Sequence, residues 1–114
     1  MITIEKLNAF GADTADGLGR CFGNEALYLK LVATIPSESN FDKLQSALAA
    51  GDLESAFLAA HALKGVLGNL SLTPLYQKVI EITELLRNKT ATDYSPLLTN
   101  ILAQKEKLGK LCVE

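Results

Sequence analysis

A helical stretch with one histidine on its polar side constrains this chain most. Residues 53–72 read LESAFLAAHALKGVLGNLSL and include the chain's only histidine, His61. At about 100° per residue along a helix, most apolar side chains of the stretch gather on one face: Ala56, Ala59, Leu63, Val66, Leu67 and Leu70. His61 points almost directly away from that face. The pattern therefore predicts an amphipathic helix that packs by its apolar side and leaves the imidazole in solvent.

A lysine and two glycines share the histidine's side of this helix. Lys64, Gly65 and Gly68 follow His61 by one or two helical turns and lie within roughly 60° of it. A glycine inside a helix costs about 1 kcal/mol relative to alanine. Two of them on one stripe therefore need a reason beyond folding. We interpret them as room for the close approach of another molecule.

Two apolar residues also project towards the histidine's face. Phe57 and Leu58 precede His61 by about one helical turn, so they lie away from the apolar stripe. Exposed apolar groups around a reactive centre predict a docking patch. Alternatively, the N-terminal helix covers one of them through Leu18 or Phe22.

Composition and charge narrow the class of protein. A chain of 114 residues has room for one domain, and 48% hydrophobic residues against 21% charged residues suffice for a core. The formal net charge of -2 and the pI of about 5.4 argue against a broad nucleic-acid interface, which needs a clustered basic excess.

The N-terminal sequence and the cysteines bear on localisation. Met1 is followed by Ile-Thr-Ile-Glu, without a basic start or a long apolar run, so neither a signal peptide nor a membrane span is predicted. We expect a cytoplasmic protein. Cys21 and Cys112 have no zinc-binding or redox spacing, and we interpret them as free thiols, with a disulfide between them as the alternative.

The first part of the chain predicts an arm and a short helix. Residues 1–12 alternate briefly between apolar and polar and reach a glycine, which indicates an N-terminal arm that packs on the rest rather than a sheet. Asp13 or Thr14 can cap a short helix over residues 15–21. Asn24 is then the expected N-cap of a longer helix.

Residues 24–50 carry apolar side chains at helical spacing, with an interruption near Pro36. We interpret them as one helical arm that is kinked or broken there. Gly51 and Asp52 end this arm and cap the histidine helix. Such a short connection makes the two helices antiparallel neighbours.

Two further helices complete the expected fold. Thr73 is the predicted N-cap of a helix from Pro74 to about residue 88, and the last helix begins near Asp93 or Ser95. The sequence thus predicts an all-α fold, an antiparallel up-down four-helix bundle with a short N-terminal helix packed on it.

We expect a single domain over residues 1–114. Residues 1–23 form the arm and short helix in this interpretation, and residues 24–112 form the bundle. No repeat and no linker long enough to divide the chain is evident.

An exposed, isolated imidazole suits few kinds of chemistry. A metal site in a bundle needs several inward ligands, whereas His61 is single and faces outward. No Ser-His-Asp or Cys-His arrangement can be identified, and an outer helix face has no pocket that excludes water. Phosphoryl transfer fits better, because a neutral ring nitrogen is a competent nucleophile near neutral pH.

Two sequence motifs point to one family. Residues 60–65 read A-H-A-L-K-G, and a small residue, Gly68, follows three positions later. Upstream, residues 17–28 read GLGRCFGNEALY, with a G-L-x-R start, then a glycine and a tyrosine. Together these motifs resemble the histidine-containing phosphotransfer (Hpt) domain, and the resemblance extends over nearly the whole chain.

The resemblance implies a phosphoryl carrier of a two-component phosphorelay. His61 would accept a phosphoryl group from a receiver-domain aspartate or a sensor histidine kinase and pass it on, and Lys64 would offset the phosphoryl charge. The receiver domain of a response regulator would supply the aspartate and a magnesium ion, so no cofactor is expected on this chain. We expect a monomer that is not an enzyme by itself. The alternative is a helical adaptor that binds a receiver or kinase through the same face without being phosphorylated.

One position departs from the family pattern. The family often has Gln or Glu on the following helix, where it holds the inner nitrogen of the imidazole, and this chain has Thr83 there. Thr83 or a water molecule could replace that group, with Glu84 or Gln77 as alternatives. The sequence leaves open what orients the ring.

Overall fold

The computed structural model describes residues 1–113, and these residues form seven α-helices and one 3-10 helix without any strand. The α-helices are α1 (Ile4–Phe10), α2 (Thr14–Arg20), α3 (Glu25–Ala33), α4 (Ser39–Ala49), α5 (Leu53–Asn69), α6 (Thr73–Arg87) and α7 (Ser95–Val113), and the 3-10 helix is Ile35–Ser37. The all-helical class predicted from the sequence is confirmed.

The N-terminal segment contains a helix that the sequence interpretation missed. Residues expected to form an arm fold into α1, whose start is capped by the Thr3 side chain and whose end is closed by Gly11 with a φ of 106°. A helix this short is marginal by itself. It is held by burial of Ile2, Leu7 and Phe10 in the core, which agrees with the expected packing of the segment.

Most predicted helix starts are correct. The side chains of Asp13, Asn24 and Asp52 accept hydrogen bonds from backbone N–H groups in the first turns of α2, α3 and α5. The predicted N-cap of α6 is wrong by one residue. Thr73 is already helical, and Leu72 occupies the cap position without a side-chain hydrogen bond.

The break near Pro36 is present. α3 ends at Ala33, the 3-10 helix contains Pro36, and α4 begins at Ser39. Proline lacks the N–H group that would continue an α-helix. The helical arm expected over residues 24–50 is therefore broken into α3 and α4.

α5 packs between α4 and α6. Near the start of α5, Phe57 contacts Arg87 in the last turn of α6, and near its end, Gly68 faces Tyr76 in the first turns of α6. Both helices contribute fully buried side chains to one core, whose largest members are Tyr28, Phe41, Leu7, Ile35, Leu44, Leu63, Leu67, Leu72, Leu75, Ile82, Leu86 and Ile101. Val66, expected in the apolar stripe, is half-buried.

α7 contacts both α6 and α4. The Tyr94 hydroxyl, just before α7, donates to the carbonyl oxygen of Thr90 at 2.7 Å and lies 3.3 Å from that of Leu85 in α6. Farther along α7, the Lys105 ammonium lies 5.4 Å from the ring centroid of Phe41 in α4. These contacts tie the last helix to the helices on either side of α5.

The N-terminal helices are attached to the turn that follows α5. The backbone N–H of Asp13 donates to the carbonyl oxygen of Ser71 at 3.0 Å, and the Ser71 hydroxyl donates to the Asp16 carboxylate. The buried Tyr28 hydroxyl donates to the carbonyl oxygen of Leu70 at 2.8 Å. The end of the histidine helix is therefore fixed by contacts from α2 and α3.

Two further expectations concern the thiols and the membrane. Cys21 and Cys112 are free, as predicted, with Cys21 buried and Cys112 half-buried. None of the helices in residues 1–113 combines the length and apolar character required to span a bilayer.

Candidate functional site

His61 lies in the middle of α5 and is exposed to solvent. The core side of α5 is formed by Ala56, Ala59, Ala60, Leu63 and Leu67. The remaining surface of the helix has one flank against α6 and one against α4. The imidazole lies between these flanks, where a partner molecule can reach it.

The imidazole contacts a ring from its own helix. The Phe57 and His61 rings are stacked, with centroids 5.8 Å apart and an interplanar angle of 22°. The Arg87 guanidinium lies 5.5 Å from the centroid of the Phe57 ring, and Arg87 also pairs with the Glu84 carboxylate at 3.4 Å. A line of contacts therefore connects the imidazole through Phe57 to the end of α6.

Lys64 and Gly65 lie one turn beyond the histidine on the same side of α5. Lys64 is half-buried, and Gly65 is exposed. Apart from its chain neighbours and the backbone of its own helix, no atom of the described residues lies within 4 Å of a Cβ built at Gly65. The space next to His61 on this side is open.

Gly68 has a different environment from Gly65, and this corrects the sequence interpretation. A Cβ atom at Gly68 would lie 3.0 Å from Cε1 of Tyr76. The missing side chain thus lets a ring from α6 pack closely on α5. The space expected for a partner at Gly68 is taken by this chain itself.

Leu58 lies on the flank of α5 that faces α4. Its side chain is 62% exposed and borders an open groove of about 530 Å³ between the two helices. Lys43 and Ser46 of α4 line the opposite side of this groove. Phe22 is 95% exposed and so does not cover the site, while Leu18 is half-buried. Leu58 remains available to a partner.

Thr83 is fully buried, and its hydroxyl donates to the carbonyl oxygen of Val79 at 2.6 Å. The single hydroxyl hydrogen is therefore used within α6. In the part of the chain that the structure describes, His61 has no hydrogen bond to Thr83, Gln77 or Glu84. The contact that the imidazole makes within these residues is the stack on Phe57.

Two residues of the site could not be found from the sequence alone. Arg87 and Tyr76 reach α5 from the two ends of α6, and no motif marks them. Only the register between α5 and α6 brings them to Phe57 and Gly68. Within residues 1–113, no cluster of three or more His, Cys, Asp or Glu side chains could hold a metal ion.

The match to a family model decides the family. The model of the Hpt domain matches residues 36–111, which is more than half of the chain and includes His61, Lys64 and Gly65. The chain belongs to the Hpt domain family. No curated protein and no solved structure gives a significant match.

Membership of the Hpt family defines the general role of this chain. Hpt domains are helical bundles that carry phosphoryl groups in two-component phosphorelays, where they interact with receiver domains and kinases, and they are carriers rather than kinases. The matched range begins at Pro36, so it omits α1, α2, α3 and the upstream G-L-x-R segment.

Proposed function

We propose that this Hpt domain accepts a phosphoryl group on His61 from a receiver-domain aspartate or a sensor kinase and passes it to a receiver domain. The position of the imidazole is the main support for this proposal. His61 is exposed on the outer side of α5, and the position one turn farther along, Gly65, is open. A folded partner can therefore bring its reacting group to the ring.

The transfer needs little from this chain beyond a placed nucleophile. The lone pair of a neutral ring nitrogen attacks phosphorus, the bond between phosphorus and the aspartyl oxygen breaks, and its electron pair returns to the carboxylate. The reverse reaction moves the group to the next aspartate. We propose that the receiver holds the magnesium ion and that this chain binds no cofactor and has no kinase activity of its own.

Lys64 and the residues around it form the proposed docking face. The Lys64 ammonium, one turn from the imidazole, offsets the negative charge of the phosphoryl group. Leu58 and Phe57 supply apolar contact, and Gly65 permits close approach. Gly68 does not belong to this face, because Tyr76 occupies the space there.

We propose a finer description of the fold as well. α4, α5, α6 and α7, with α3 extending α4 across the break, form an antiparallel up-down four-helix bundle, and α1 and α2 pack on its end. The contacts of α5 with both ends of α6 support this arrangement. The core shared by these helices supports a single domain. The protein would act as a monomer in the cytoplasm, where receivers and kinases are available.

The decisive experiment follows phosphate from a phosphorylated receiver domain to this chain. We expect a label on the wild-type protein that is lost in acid and stable in alkali, as is typical of phosphohistidine. His61→Gln should abolish the label and leave the helical circular dichroism unchanged, because the side chain is exposed and outside the core.

Two controls sharpen this test. Incubation with ATP and magnesium alone should give no label, since the sequence has no glycine-rich phosphate loop. Self-labelling would contradict the carrier assignment. A receiver that binds the chain tightly and never transfers phosphate would indicate an adaptor instead, and an acid-stable label would indicate Ser or Thr.

A further inference from the structure

The imidazole of His61 stacks on a ring of its own helix and has no hydrogen bond to another group among residues 1–113. Phe57 precedes His61 by one turn, and the two rings stack with an interplanar angle of 22°. Near-parallel stacking between aromatic rings is a directional contact that favours one arrangement over freely rotating alternatives. Phe57 therefore restricts how the imidazole can turn about its side-chain bonds.

Phe57 is itself held from a second helix. The Arg87 guanidinium lies over the Phe57 ring at 5.5 Å, within the range of a cation–π contact. Arg87 in turn pairs with Glu84 one turn earlier in α6. The ring that contacts His61 is thus fixed between α5 and the end of α6, so its position does not depend on α5 alone.

No other group in the described part of the chain makes a hydrogen bond or a ring contact with the imidazole. The hydroxyl hydrogen of Thr83 is donated to Val79, and Glu84 is paired with Arg87. Lys64, the remaining polar neighbour one turn away, has no hydrogen bond to the imidazole among residues 1–113. The stack on Phe57 is the one directional contact that the ring makes within those residues.

We propose that Phe57, supported by Arg87, is the positioning residue that presents the His61 imidazole to the phosphoryl group. The inference rests on the proposed function, since positioning matters only if the ring reacts. In-line transfer requires the nitrogen lone pair to point at phosphorus. A ring that already lies in that orientation loses less freedom on reaching the transition state than a ring that turns freely.

The test compares three variants by two measurements. Phe57→Leu removes the ring and keeps an apolar side chain, Phe57→Tyr keeps the ring, and Phe22→Leu is the matched control, because Phe22 is exposed and makes no ring contact in residues 1–113. The first measurement is the NMR spectrum of the imidazole, which gives one set of signals because His61 is the only histidine. The second is the rate of transfer from a phosphorylated receiver.

We expect Phe57→Leu to move the imidazole proton signals towards those of a free histidine, since the ring current of Phe57 is lost. It should lower the rate constant of transfer at saturating receiver by about three- to tenfold, the range that corresponds to the loss of one aromatic stack. The receiver concentration that gives half the maximal rate should stay unchanged. Phe57→Tyr should keep the imidazole signals and the transfer rate close to those of the wild type, and Phe22→Leu should change neither. Arg87→Gln should move the imidazole signals in the same direction by a smaller amount.

Several results would overturn the proposal. Imidazole signals that stay unchanged in Phe57→Leu would show that the rings do not stack in solution. A change confined to the receiver concentration that gives half the maximal rate would show that Phe57 serves receiver contact alone. Slow transfer by Phe57→Tyr would exclude the ring as the cause. If the wild-type chain accepts no phosphate, the proposed function fails, and the NMR comparison alone then decides whether Phe57 orients the ring.

Discussion

The reactivity of an exposed imidazole depends on its immediate neighbours. His61 has a stacked ring on one side, a lysine one turn away and open space at Gly65. In the proposed function, this arrangement would supply a nucleophile, an orientation and one positive charge. A receiver domain would supply the remaining groups.

The charge of Lys64 should affect phosphoryl transfer more than it affects folding. Lys64→Gln removes the charge and keeps much of the side chain. An ammonium near a phosphoryl group in a water-exposed site contributes about 1 kcal/mol, so transfer should slow by about fivefold. The free energy of unfolding should change by less than about 1 kcal/mol, because Lys64 has no ion pair among residues 1–113 and a solvated ammonium contributes little to stability.

The control for Lys64 is another lysine of the same charge. Lys30 lies in the last turn of α3 and is exposed, so Lys30→Gln changes the net charge equally. Its transfer rate should match that of the wild type. Equal slowing in the two variants would mean that overall charge, not the position of Lys64, affects encounter with the receiver.

The family motifs contain glycines that serve different purposes in different helices. Gly17 in α2 lies under the ring of Tyr28, where a Cβ atom would come within 2.5 Å of Cε1. Gly17 and Tyr28 of the upstream motif therefore form one packing contact between α2 and α3. Gly68 forms a similar contact with Tyr76, whereas Gly65 faces open space.

α5 provides a prediction at the scale of one helix, through the contrast between Gly65 and Gly68. Gly65→Ala should stabilise the protein by up to about 1 kcal/mol, because alanine is the better helix former and nothing obstructs it. Gly68→Ala should give a smaller gain or none, since the Tyr76 ring must move by a few tenths of an ångström. Thermal or denaturant unfolding of each variant measures this difference.

Transfer should respond in the opposite order. Gly65→Gln should fold as well as the wild type and slow transfer by on the order of 100-fold, because its side chain stands in the path of the receiver. Gly65→Ala should be intermediate, and Gly68→Ala should transfer at nearly the wild-type rate. If Gly65→Gln unfolds the protein, or if both alanine variants slow transfer equally, the proposed docking face is wrong.

The whole molecule depends on how the first three helices attach to the histidine helix. α2 and α3 contact the turn after α5 through Asp13, Asp16 and Tyr28. The Ser71 hydroxyl, followed in importance by Arg20, holds the pKa of Asp16 below its ordinary value. Residues outside the matched family range thus fix the end of α5.

Tyr28 provides a prediction at this scale. Its hydroxyl is buried against the Leu70 carbonyl, and burial raises its pKa from 10.0 to about 12. Tyr28→Phe loses this hydrogen bond and should lower the free energy of unfolding by about 1 kcal/mol near neutral pH. The circular dichroism of the helices and the transfer rate should change little, because Tyr28 contacts Leu70, which lies about 13 Å beyond His61 along the helix.

The raised pKa adds a pH dependence to this prediction. The folded state favours the neutral phenol, so this contribution to stability is complete below about pH 10 and is lost as the pH rises through about 12. Denaturant unfolding at about pH 8 and about pH 11 should show a larger loss of stability for the wild type than for Tyr28→Phe. An equal loss in both proteins would mean that Tyr28 does not titrate differently in the folded and unfolded states.

Features that depend on neighbours along the chain could be predicted from the sequence. Helical periodicity placed His61 opposite the apolar stripe of α5, and short polar side chains marked the starts of α2, α3 and α5. Pro36 marked the break between α3 and α4. These signals are local, because a cap or a stripe is formed by residues within one or two helical turns.

Features that depend on the register between helices became evident only from the packing of the folded chain. The same pattern of glycines predicted open space at both Gly65 and Gly68, but Tyr76 of α6 fills one of the two positions. The Thr83 hydroxyl donates to the Val79 carbonyl of its own helix, and Arg87 contacts the Phe57 ring. α1 forms only because its apolar side chains are buried by the rest of the molecule. A sequence pattern shows which side a residue faces, but which atoms it meets there depends on how neighbouring helices slide and rotate as they pack.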